Sequence, residues 1–124
     1  MTEDYRIHLD PLFGTMEPMD LRRVAEAADH PWYNQTVTQV GDVLVRLGVF
    51  EEGAFHWHRH DEQDEFFLVL EGALRIELEG HDPVDLGRLQ AFSVPAGLLH
   101  RPVAPGPTTV LMMERAGVLP TGDQ

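Results

Sequence analysis

A chain of 124 residues with 43% hydrophobic content suffices for one ordinary domain with a real core, and excludes wholesale disorder. The 9 Lys+Arg against 21 Asp+Glu, a formal charge of −12, argue against nucleic acid and an anionic membrane surface as partners. With no Cys, disulfides, thiolate nucleophiles and sulfur-based zinc sites are ruled out, and a cytoplasmic setting is expected.

Residues 1–33 read as an N-terminal arm followed by a short helix. The opening Met1 to Arg6 is polar and acidic, unlike a signal peptide, and no apolar run in the chain approaches the ~18 residues of a membrane span. Pro11, Gly14 and Pro18 break any regular element, leaving an arm that lies on the body or on a partner. Asp20 is placed to N-cap a helix over Leu21 to Ala28, with Leu21, Val24, Ala25 and Ala28 on one face, and His30-Pro31 ends it.

Residues 34–115 change to a β texture. Strands are expected at Thr36–Val40, Val43–Phe50, Phe55–Arg59, Glu65–Leu70, Leu74–Glu79, Phe92–Val94, Arg101–Val103 and Thr108–Met113. Turns are expected at Gly41-Asp42, Glu51-Gly53, Glu71-Gly72, Asp82-Pro83, Gly87 and Pro95-Gly97. Many short strands at this spacing make an all-β sandwich or closed barrel. Residues 116–124 read as an irregular tail.

The densest chemistry is Phe55-His56-Trp57-His58-Arg59-His60-Asp61-Glu62-Gln63-Asp64-Glu65. On a strand, residues two apart face the same way, so His56, His58 and His60 point to one side. Imidazoles at i and i+2 can approach one ion from adjacent corners. Glu65 opens the next strand with the parity of Phe67 and Val69 and can add an oxygen, whereas Glu62 and Asp64 read as turn residues. His100, just past the turn in Pro95-x-Gly97-x-x-His100, completes the set as a fourth ligand. Such N/O donors suit one divalent transition-metal ion: Fe(II), Mn(II), Co(II), Ni(II), Cu(II) or Zn(II). Four protein donors on an octahedral ion leave positions open for substrate. His56 is expected to line the cavity rather than bind the ion. His8, His30 and His81 are expected at the surface.

His58-x-His60-(x4)-Glu65-(x6)-Gly72 resembles the first cupin motif, and Pro95-x-Gly97-x-x-His100 the core of the second. The wording from Trp57 to Gly72, then Pro95 to Ala104 and the ending at Glu114 to Asp123, is similar to small single-domain cupins often labelled mannose-6-phosphate-isomerase-like. The likeness covers roughly residues 34–123. It implies a double-stranded β-helix (jelly roll, RmlC-like), a metal held by His58, His60, Glu65 and His100, and a homodimer. Around Leu89-Gln90 the chain lacks the glycine that usually opens the second motif, so a differently shaped hairpin is expected there.

Two functions compete at this stage. One is a metal-dependent enzyme, a dioxygenase or isomerase on a small organic substrate, with Glu65 or His56 as general acid/base. The other is a non-catalytic module that binds or senses a small ligand around a structural metal. Phe55, Phe67, Leu44, Arg46 and Met112 are candidates for the pocket wall. Arg46 and Arg101 are expected at the rim or surface; either one facing inward would suggest an anionic substrate.

Overall fold

The computed structural model describes residues 6–117. In chain order it contains β1 (Arg6–His8), α1 (Leu21–Glu26), β2 (Trp32–Val40), β3 (Val43–Phe50), β4 (Gly53–Ala54), β5 (Glu65–Glu71), β6 (Leu74–Leu78), β7 (Val84–Leu86), β8 (Ala91–Val94), β9 (His100–Ala104) and β10 (Thr108–Arg115). The strands form two facing sheets, ordered β1-β2-β3-β10-β5-β8 and β4-β9-β6-β7. Every pairing is antiparallel except β1 on β2. This is the all-β sandwich that the strand spacing implies, in the jelly-roll form that the motif resemblance implies.

Period-2 patterning builds the interior. Glu65, Phe67 and Val69 on β5 are buried, as are Thr108, Val110, Met112 and Glu114 on β10 and Leu74, Ile76 and Leu78 on β6. Phe50, Phe67, Val69, Val110 and Met112 from the larger sheet meet Leu74, Ile76, Leu78, Leu86 and Ala104 from the smaller one, forming the main core. The larger sheet is covered on its outer face too: Val24 of α1 packs with Val37 and Leu47, flanked by Phe13, Leu21, Val45 and Leu111. Burial on both faces explains why β3 reads Val-Leu-Val-Arg-Leu-Gly-Val-Phe, almost without alternation.

The helix is two residues shorter at its C-terminus than expected, and Asp20 caps it by accepting from the backbone N–H groups of Arg22 and Arg23. The arm lies on the body. β1 pairs with β2, and the Leu12 and Phe13 N–H groups donate to the Thr36 and Val37 carbonyls. The expected strand over Phe55–Arg59 is the main correction. Gly53 and Ala54 face Ala104 and Val103, but His58 faces His100, so one extra residue has been inserted before His58. This irregularity resets the inward row to Phe55, His58 and His60. His56 falls off that row and is half-buried.

Gly72 sits at φ +84° where a Cβ would meet the Pro107 carbonyl oxygen, so only glycine fits this turn. At the expected glycine of the second motif, Leu89 adopts φ +66° with its side chain largely exposed. The hairpin keeps its left-handed corner without the residue that makes it easy.

Candidate metal centre

Glu65 is the hub of the site. Its Oε1 lies 3.2 Å from His60 Nε2, 3.3 Å from His100 Nε2 and 3.9 Å from His58 Nε2. All four side chains are buried. They come from the start of β5, the irregular segment after β4, and the first residue of β9. The loops are stitched together. His58 and His100 exchange two backbone hydrogen bonds, the Gly97 N–H donates to the His60 carbonyl, and the Ala96 N–H donates to Asp64 Oδ1. Asp64, expected in a turn, holds the loop that leads to His100.

The backbone also selects the tautomers. His58 Nδ1 is 3.0 Å from the His56 carbonyl and His100 Nδ1 is 2.9 Å from the Leu98 carbonyl. A carbonyl only accepts, so each ring donates Nδ1–H and turns the lone pair of Nε2 toward Glu65. Lone pairs converging on a carboxylate oxygen repel one another unless a cation or protons lie among them. That chemistry and the absence of sulfur fit a divalent metal ion. Burial alone would push the Glu65 carboxyl up, but the facing His100, His58 and His60 side chains outweigh it. Where those nitrogens carry protons they hold the group well below the usual carboxylate range, and a cation among them would do the same, so the donor oxygen is charged.

The convergence forms two overlapping triads. The donor atoms of His58, Glu65 and His100 lie within 4.8 Å of one another, and so do those of His60, Glu65 and Glu114. His60 reaches the first triad through Glu65. Glu114 is a buried residue that the sequence reading missed, although it shares the parity of Met112, two residues earlier on the same strand. Its Oε1 is 3.4 Å from Arg46 Nε and its Oε2 is 3.7 Å from His60 Nε2. Burial first, and Glu65 second, push the Glu114 carboxyl up to about 7 against the opposing pull of Arg46 and His60.

Arg46 corrects a second expectation: it is completely buried rather than at the rim. Nη1 donates to Thr36 Oγ1, and Glu114 takes up the charge. Arg101 is half-buried at the surface, paired with Glu77, its guanidinium 5.1 Å from the Trp57 ring centroid. Neither arginine lines the cavity beside the centre. That cavity is a slot walled by Ile7, Trp32, Asn34, Phe50, Phe55, Phe67, Pro102 and Met112, with His58 and Glu65. Of the expected wall residues, Phe55, Phe67 and Met112 are present. Leu44 and Arg46 are not, because Leu44 lies at the far end of β3 opposite Glu114 and Arg46 is held by its carboxylate. Trp32 stacks on Phe50 at 4.5 Å and gives the slot a flat aromatic side. His56 stacks on Phe55 at 4.5 Å and stands edge-on to His58.

A family model described as "Cupin domain" matches residues 46–114. The chain is 34% identical over 82 residues to the uncharacterized protein YdbB of Bacillus subtilis (strain 168), covering 66% of this chain and 72% of that one. Among solved structures, a cupin-2 domain containing protein from Shewanella frigidimarina NCIMB 400 superposes with a TM-score of 0.73 at 25% identity, over 78% of this chain and 93% of that chain. The TT1209 protein of Thermus thermophilus superposes at 0.70 with 26% identity, over 82% and 98%.

Proposed function

Because this chain belongs to the cupin family, we propose that it is a metal-dependent enzyme acting on a small, largely apolar and uncharged organic molecule, by dioxygenase- or isomerase-type chemistry. The observation that carries this reading is the convergence of three imidazole nitrogens on one buried carboxylate oxygen beside an aromatic slot. His58, His60, Glu65 and His100 would hold one divalent ion, which supplies Lewis acidity and open coordination positions when bound. Its identity among Fe, Mn, Ni, Zn, Co and Cu is left to measurement.

The chain's own side chains do the rest. The aromatic walls exclude water and orient a flat substrate against the centre. The cavity wall carries no Arg, so an anion finds no cation there; Arg46 is already matched by Glu114. Glu65, and His56 from its place beside His58, are the acid/base candidates. The second reading is a module that holds the same ligand without turnover; the scarcity of polar groups in the slot favours it. A homodimer is part of the proposal, supported by exposed Leu9, Leu12, Met16 and Met19 along the arm. So is a cytoplasmic setting, supported by the cysteine-free composition.

Elemental analysis of untagged protein, with and without chelator, tests the centre. One transition-metal ion per chain is expected in the parent, and strongly reduced occupancy in His60→Ala. A parent protein without stoichiometric metal sinks the proposal, and full occupancy in the variant shows that His60 is not a ligand.

A further inference from the structure

We propose that Glu114 is a fifth protein donor to the metal centre, turned into it by Arg46; this rests on the metal-centre reading above. β10 pairs with β5 so that Met112 faces Phe67 and Met113 faces Phe66, which brings Glu114 alongside Glu65 on the inner face. Two neighbouring carboxylates buried together repel unless cations separate them. Among the described residues Arg46 meets one of the two charges, through Glu114 Oε1. Among the described residues Glu114 Oε2 accepts no hydrogen bond, and it lies 3.7 Å from His60 Nε2. A buried carboxylate oxygen left in this way costs free energy. A divalent ion shared with His60 and Glu65 would remove the cost, and the three donor atoms are already within 4.8 Å of one another.

The fifth donor changes what the centre can do. On a six-coordinate ion it leaves one open position instead of two. A ligand would then bind through a single atom, unless Glu114 withdrew onto Arg46 to make room for a second. Arg46 is thus a positioning residue: anchored by Nη1 on Thr36, it stands with Nε 3.4 Å from Glu114 Oε1 and draws that oxygen toward itself by charge.

Co(II) is the probe, because its visible absorption reports coordination and chelator competition reports affinity. The parent, Glu114→Gln, and the charge-free pair Arg46→Met with Glu114→Leu are compared, each checked for folding by circular dichroism. The double variant removes both buried charges and so stays foldable if the single one does not. A loss of affinity of roughly tenfold or more, together with a changed Co(II) spectrum, is expected in every folded variant. An unchanged spectrum, with or without weaker binding, overturns the proposal, since Glu114 then acts from outside the coordination sphere. A parent that binds no Co(II) overturns the metal-centre reading itself, whereas a parent that binds and variants that match it overturn only the role of Glu114.

Discussion

Arg46 and Glu114 form an ion pair with side chains 0% and 2% exposed, so their energetics follow desolvation more than attraction. Removing one partner strands the other in the core. Arg46→Met alone is expected to destabilise the metal-free protein by roughly 3 kcal/mol, and the double change with Glu114→Leu by much less. Urea denaturation in chelator measures both; equal losses would show that the pair acts by packing alone. Glu114 also has a pH signature. Its folded value of about 7 lies above the ordinary 4.5, so the fold binds this proton more tightly than the unfolded chain does. The resulting stability is full below about 4.5 and is lost as pH rises through about 7. Glu65 is opposite in sign: held low, it adds stability above the ordinary carboxylate range that is lost on acidification. Glu114→Gln is therefore expected to flatten the decline in stability between about pH 4.5 and pH 7 in chelator, read from thermal midpoints. A decline as steep as the parent's would exclude Glu114 as its source.

At the level of elements, local irregularities decide what the chain presents. The extra residue before His58 keeps Phe55 and His58 on the inner row although they are three apart. A strict alternation of two cannot anticipate this, and it is why the sequence pattern points His56 inward. The His58-x-His60 pair is legible because it lies after the irregularity, and Glu65 is legible because β5 alternates regularly from Glu65 to Val69. A different kind of irregularity is Leu89, an L residue with a large side chain held at φ +66°. A left-handed backbone costs such a residue on the order of 1 kcal/mol, and asparagine tolerates it better. Leu89 is 66% exposed, so little burial is lost on replacement. Leu89→Asn is expected to stabilise the protein by roughly 0.5 kcal/mol, seen as a higher denaturation midpoint at unchanged slope. A destabilised variant would mean that the Leu89 side chain contributes contacts worth more than the strain.

The whole molecule adds constraints that no single element carries. The strand at Val43 offers no free edge to a second copy, because β2 and β10 cover β3 on both sides. The larger sheet ends instead in β1 and β8. The proposed dimer is thus moved to the arm, whose exposed Leu9, Leu12, Met16 and Met19 need cover. Light scattering is expected to return twice the 14.0 kDa chain mass, falling to one chain mass when Leu12 and Met16 are changed to Ser; a parent already at one chain mass rejects the dimer. No helix among the described residues is long and apolar enough to cross a membrane. Local pattern determined the all-β class, most of the turns, the Asp20 cap and the His58-x-His60 pair with Glu65, because alternation and donor type are properties of neighbouring residues. Arg46 and Glu114 are 68 positions apart in sequence. Their meeting beside His60 depends on β3, β10 and β5 lying side by side in one sheet, a long-range pairing that only the folded chain settles.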